Sequence, residues 1–169
     1  MVFRKDLILI ASADHNWGIG FESKLLKRIP EDMRRFSEFT MGNLIIVGRK
    51  TLESFKDGKP LPERVNVVLT QDANYSCEGA ILAQSLDELM EVIKSYPNKV
   101  YVSGGEAIYR MLLPYTKEAL ITKIDASFQA DTHLPDLDLA NDWLTKEEGP
   151  WQESKNGTRF KYVHYIRKA

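Results

Sequence analysis

Leu44-Ile45-Ile46-Val47-Gly48-Arg49-Lys50-Thr51-Leu52-Glu53-Ser54 passes from consecutive apolar residues, through a glycine and two cations, into the start of a helix. A continuously apolar run suits a strand covered on both faces, and such strands belong to parallel sheets flanked by helices. Working outward, strand-like runs occur at Leu7–Ala13, Leu44–Val47, Val65–Thr70, Ala80–Ala83, Val100–Ser103, Ala119–Ile124 and Phe160–Ile166. Helical segments fall between them. Pro30–Phe39 opens with proline at the first helical position, where its missing N–H is harmless. Ser85-Leu86-Asp87-Glu88 is a capping-box pattern, introducing a helix to about Tyr96 that Pro97 stops. Glu106–Leu113 is stopped by Pro114, and a short helical turn fits Arg49–Ser54. No helical pattern separates the last strands after Pro135, so they read as antiparallel. The expected fold is α/β: a mostly parallel, open, twisted sheet with flanking helices and antiparallel C-terminal strands, one domain over residues 1–169.

Composition narrows the function classes. The chain is 43% hydrophobic and 28% charged, and 23 Lys+Arg stand against 24 Asp+Glu. That balance leaves no basic footprint for nucleic acid or an anionic membrane. No stretch approaches the ~20 apolar residues of a membrane span, and Leu7–Ile10 is shorter than the apolar core of an export signal, roughly 7–15 residues. Cys77 stands alone, so no intrachain disulfide forms, and it reads as structural or incidental. The expectation is a cytoplasmic protein, monomeric, with a small-molecule partner.

In open parallel sheets ligands bind beyond the carboxyl ends of the strands. The segments found there are Asp14–Lys27, with Gly18 and Gly20; Gly48-Arg49-Lys50-Thr51; Thr70-Gln71; and Gly104-Gly105. Gly48–Thr51 offers backbone N–H groups, a hydroxyl and two cations, which make a phosphate site; two solvated cations at a turn give the same pattern. Gly104-Gly105 lets a diphosphate approach the backbone at a helix start, or simply makes a tight turn. On a helix over Pro30–Phe39, Ile29, Met33, Phe36 and Phe39 share an arc roughly 120° wide, and Asp32 falls inside it. A carboxylate there needs a partner. It presents two acceptor oxygens to a cationic or amidine-like group, or it is a helix-start Asp favoured by the macrodipole, or one paired with Arg35. Arg64, after Pro60-Leu61-Pro62, could clamp a carboxylate or lie on the surface. His15, His133 and His164 lack metal spacing and Ser103-Gly104-Gly105 is not a nucleophile elbow, so no metal or covalent catalysis is expected.

In this order, these pieces resemble the dihydrofolate reductase family over nearly the whole chain. The matching stretches are Ile10–Ala13 with Gly18–Gly20; Ile29–Met33 with Phe36; Val47–Phe55; Pro60–Pro62 with Arg64–Asn66; Val102–Gly105 with Ile108 and Tyr109; Leu120–Ile124; and Ala130–Pro135. The resemblance implies NADPH-dependent reduction of dihydrofolate, in support of one-carbon metabolism, and binding of antifolates. It assigns Asp32 to the pterin pocket, with Thr122 supporting it through its hydroxyl and a water, and Tyr109 beside the nicotinamide. It assigns Met33, Phe36, Ser54, Phe55, Leu61 and Ser103 to the substrate walls and Arg64 to the glutamate tail. For the cofactor it implies Ser12, Ile19 and Gly20 at the nicotinamide end. Gly48, Arg49, Lys50, Thr51, Thr70 and Gln71 would hold the adenosine phosphates, and Gly104, Gly105, Glu106, Ala107 and Ile108 would lie under the diphosphate. The loop Asp14–Lys27 would be flexible and close over both rings.

Two positions depart from the family pattern. Lys27 stands where a tryptophan is usual, and Ser103 replaces an apolar residue before the glycine pair. A pyrimidine reductase on the same scaffold and a non-catalytic nucleotide-binding module remain as alternative readings, to be separated by whether Asp32 and Arg64 serve a pterin-glutamate ligand.

Overall fold

The computed structural model describes residues 3–169. Its elements run β1 (Leu7–Ala13), β2 (Gly18–Phe21), β3 (Lys24–Leu25), α1 (Pro30–Thr40), β4 (Leu44–Gly48), α2 (Arg49–Glu53), β5 (Val65–Leu69), β6 (Ala80–Ala83), α3 (Leu86–Ile93), β7 (Val100–Val102), α4 (Glu106–Leu112), β8 (Thr116–Ile124), β9 (Thr132–His133), β10 (Trp143–Glu148), β11 (Gln152–Glu153) and β12 (Arg159–Arg167). The main sheet has the order β10-β12-β8-β1-β7-β4-β5-β6, with β11 paired to β12. From β8 to β6 every pairing is parallel, and β12 and β10 close the other edge antiparallel.

The apolar runs behave as their composition requires. Leu44–Val47 and Val67–Leu69 are buried throughout, because both faces of the central strands are covered. One core cluster gathers Leu7, Leu9, Ile46, Val67, Val102 and Ile121 under α3 and α4. A second gathers Ile8, Ile45, Val47, Val68 and Tyr101 on the opposite face. The capping box forms: the Glu88 N–H donates to Ser85 Oγ at 3.1 Å, while the Glu88 carboxylate accepts from the Gln84 N–H at 2.7 Å, not from Ser85. The helix ends at Ile93 rather than Tyr96. Arg4 satisfies carbonyls freed at this end: its Nη1 donates to those of Ile93 and Tyr96, each at 2.8 Å.

The loop after β1 carries regular structure of its own: β2 and β3 join β9 in a separate three-stranded sheet. Asp14, only 5% exposed, holds its root. Its carboxylate accepts from the N–H groups of Asn16 at 2.9 Å, Gly18 at 2.8 Å and Phe128 at 2.9 Å. Asp131 holds the tip through its N–H to the Gly20 carbonyl and its carboxylate from the Glu22 N–H, both at 3.0 Å.

Candidate active site

β1 and β8 run side by side, and their register sets Ser12 opposite Thr122 near the carboxyl ends. Helix α1 crosses above. Its apolar arc is only half-covered: Ile29 is buried, but Met33, Phe36 and Phe39 are half-buried. These side chains, with Phe55 and Leu61, which pack partly on the second cluster, leave an open apolar wall. A helix face that borders a cleft reads like a core face in sequence and differs only in what covers it.

Asp32 lies in that wall. The Thr122 hydroxyl donates directly to its Oδ1 at 2.5 Å. Burial raises the Asp32 pKa above 3.8, while the Thr122 hydrogen bond and the nearby Arg35 charge oppose the rise. The carboxylate therefore carries its charge in an environment that disfavours it. An Asp32–Arg35 salt bridge does not form: the Arg35 guanidinium stacks on Tyr162 instead.

The other half of the cleft is made by the ends of β4 and β7. The Gly48 N–H donates to the Gly104 carbonyl at 2.8 Å, and the Ser103 N–H to the Ile46 carbonyl at 2.9 Å. Helices α2 and α4 start at this seam, and neither has a side-chain cap. A Cβ on Gly104 would lie 3.4 Å from the Tyr109 hydroxyl and 3.6 Å from Thr51 Oγ1, at a φ of +115° that side chains rarely adopt. Open N–H groups from two helix starts, the Thr51 hydroxyl, and Arg49 and Lys50 form a donor set suited to phosphates. A glycine-lined, uncapped cradle of this kind fits a dinucleotide diphosphate.

A sequence model of the dihydrofolate reductase family matches residues 6–167. The chain is 35% identical to the dihydrofolate reductase of Neisseria meningitidis serogroup B over 161 residues, covering 95% of this chain and 98% of that protein. It is 34% identical to the dihydrofolate reductase of Bacillus subtilis over 159 residues, covering 94% and 93%. The chain belongs to the dihydrofolate reductase family. A solved dihydrofolate reductase from Enterococcus faecalis, complexed with NADP(H) and RAB-propyl, superimposes with a TM-score of 0.88 at 28% identity, over 99% of each chain.

Within this dihydrofolate reductase fold, the remaining expected residues divide by position. Ser12, Ile19 and Gly20 are half-buried on β1 and β2. Ser103 is half-buried next to the glycine pair, and Ala107 is exposed on the first turn of α4, ahead of buried Ile108. Thr70 and Gln71 follow β5, and Thr70 Oγ1 accepts from the Asp72 N–H at 3.2 Å. Arg49 lies 3.4 Å from Asp72 and 3.8 Å from Glu53, both exposed pairs. Ser54 caps the end of α2 by donating to the Thr51 carbonyl at 2.6 Å. The Glu106 carboxylate accepts from the His133 N–H at 3.0 Å, tying α4 to β9. Tyr109 is buried, its hydroxyl donating to the Ile10 carbonyl at 2.8 Å, and burial pushes its pKa far up. That places its ring near the cleft with its hydroxyl proton committed to Ile10.

Arg64 is more committed than a surface arginine. It donates to Thr40 Oγ1 at 2.8 Å, the Pro62 carbonyl at 2.6 Å, the Ser37 carbonyl at 3.1 Å and Ser37 Oγ at 2.7 Å. These contacts pin the last turn of α1 and leave one guanidinium N–H unused. Leu25, at the end of β3, and Lys27, on the loop before α1, are exposed. Sequence reasoning missed Asp14 and Asp131, which fix the loop; the usable signal at Asp14 was a carboxylate followed by Asn16 and Gly18, the pattern of a side chain bonding backbone N–H groups just ahead.

Proposed function

We propose that this cleft reduces 7,8-dihydrofolate to 5,6,7,8-tetrahydrofolate with NADPH as reductant. The observation that carries the reading is Asp32, a buried-side carboxylate held by Thr122 and aimed into an apolar cleft beside an open phosphate cradle. NADPH, when bound, supplies the hydride that adds to C6 of the pterin ring.

The chain's residues orient the substrate and stabilise charge. Thr122 occupies one lone pair of Asp32 Oδ1, so Oδ2 is left to accept from the 2-amino and N3 side of the pterin. A negative charge fixed there in a water-poor cleft stabilises the cationic character that makes C6 an acceptor. N5 takes its proton from water, because the Tyr109 hydroxyl is already bonded to Ile10. Met33, Phe36, Phe55, Leu61 and Ser103 line the pterin and aminobenzoyl groups, with Ser54 at their edge. Arg64 offers its unused N–H to the glutamate tail, and a two-pronged grip needs the Pro62 carbonyl to give way. Arg49, Lys50, Thr51, Thr70 and Gln71 hold the adenosine phosphates, including the 2′-phosphate. Gly48, Gly104, Gly105, Glu106, Ala107 and Ile108 admit the diphosphate, and the backbone of Ser12, Ile19 and Gly20 meets the nicotinamide carboxamide. Antifolates that mimic the pterin compete for the same carboxylate. The single unpaired Cys77 suits a cytoplasmic setting.

The test is loss of NADPH absorbance with and without dihydrofolate. Asp32→Asn should retain NADPH binding and lose at least about 100-fold in kcat at neutral pH. Full activity in that variant would remove Asp32 from the mechanism and the reading with it.

A further inference from the structure

Arg35 is a half-buried cation that the pterin and cofactor contacts leave without a role. It lies three residues after Asp32, on the same side of α1. Its guanidinium carbon is 3.7 Å from the centroid of the Tyr162 ring and 4.9 Å from that of Phe39. At such distances an aromatic face holds a cation electrostatically. Among the described residues it has no ion-pair partner within 4.0 Å. Tyr162 is the β12 residue in register with Thr122 of β8, and Thr122 is the residue that grips Asp32. One strand pair therefore anchors both charges, the anion through a hydroxyl and the cation through a ring.

We propose that Arg35 is a positioning residue for Asp32: stacked on Tyr162, it keeps a permanent positive charge beside the carboxylate and sets the pH range over which Asp32 is an anion. The stacking matters as much as the charge. A direct salt bridge would occupy the oxygens a ligand needs, whereas a cation parked on a ring lends its field and leaves Oδ2 free.

The groups facing Asp32 from each packed element are Thr122 of β8, Tyr162 of β12, Tyr109 of α4, and Arg35 on α1 itself. Both tyrosines are neutral, raised above their ordinary value by burial with the Asp32 charge adding to it. Glu31 is held low by a hydrogen bond from Ser154 and faces that loop. Arg35 is the one cation in the set. Burial lowers its pKa, but a guanidinium starts so high that it stays protonated. The charge of Arg35 also opposes the burial-driven rise at Asp32.

The experiment is a carboxyl-carbon NMR titration of the full-length, ligand-free protein with labelled aspartate, the Asp32 signal being assigned by its loss in Asp32→Asn. Arg35→Leu should move the Asp32 midpoint up by about one pH unit, the low end of the effect of an adjacent opposite charge. Arg35→Lys, which keeps the charge, should stay within about a third of a unit of the parent. An unchanged midpoint in Arg35→Leu, or an equal rise in both variants, overturns the proposal. If the leucine variant does not fold, Arg35→Gln makes the same comparison. The inference takes its catalytic meaning from the reductase reading. The titration needs no substrate, so its failure is distinct from full activity in Asp32→Asn, which would sink that reading alone.

Discussion

Replacing Asp14 by Asn probes the contact that ties the cleft loop to the rest of the molecule. Asp14 Oδ1 accepts from Asn16 and Gly18, and Oδ2 accepts from Phe128, all between 2.8 and 3.0 Å. An amide in the same rotamer keeps the oxygen facing the loop but turns its NH2 toward the Phe128 N–H, donor against donor. The loss is one hydrogen bond to a charged acceptor, about 1.5–3 kcal/mol, together with a poorly satisfied N–H at a residue pair that is largely buried. These overlap, so the expected destabilisation is about 2–3 kcal/mol. Because only Oδ2 reaches the segment before β9, the effect concentrates on the seam between loop and segment. Urea unfolding should show a lower midpoint at an unchanged slope. Amide exchange at Phe128 should accelerate more than at Gly18, whose acceptor survives. A stability change under about 0.5 kcal/mol, with Phe128 still protected, would refute the idea that this carboxylate holds the seam.

Two further outcomes follow from the site's electrostatics. The folded-state pKa of Asp32 is raised above 3.8, chiefly by burial, so its ionisation opposes folding: the stability it permits is complete below about pH 3.8 and falls as pH rises through the folded value. Asp32→Asn should thus melt higher than the parent at neutral pH, with the difference shrinking under acid, and an equal difference at both pH values would contradict this. Arg64→Leu should raise KM for dihydrofolate about 10–100-fold with kcat changed little, the effect of losing a charged hydrogen-bonding partner. A dihydropterin lacking the glutamate tail should show no such rise; if it does, the arginine acts through α1 rather than through the tail.

What the sequence disclosed depended on how local the cause was. Consecutive apolar residues in Leu44–Val47 and Leu7–Leu9 announced buried parallel strands because burial on both faces is written into each residue. The capping box at Ser85 was equally local, and the Ser85–Glu88 contact formed as read. Strand β10 was not visible: after Trp143 every residue is exposed, so an edge strand rich in Lys and Glu carries no apolar period. Strands β2, β3 and β9 span two to four residues each and owe their form to distant pairings. At the site, Asp32 was legible as a carboxylate in an apolar arc. Its direct bond to Thr122, ninety positions away, and the stacking of Arg35 on Tyr162 needed the fold.

Glu31 and Asp32 show most directly why chemistry could not be read from residue type alone. They are adjacent acids in the first turn of one helix, where the helix dipole favours both. The turn nonetheless points them in different directions. Glu31 reaches the loop after β11, accepting from Ser154 Oγ at 2.7 Å and the Lys155 N–H at 3.0 Å, and its pKa is lowered. Asn156 adds a hydrogen bond to the Arg28 carbonyl at 2.8 Å, so the helix start is gripped from outside the cleft. Asp32 turns inward and its pKa is raised. Neighbouring titratable groups driven apart by their surroundings mark a division of labour. Here the outer carboxylate is stabilised as an anion and fixes the helix, and the inner one is held as a costly anion by the position its neighbour secures. A helix anchored less firmly would let Asp32 rotate toward water, where its charge would be comfortable and, on the proposed mechanism, of no use to a pterin.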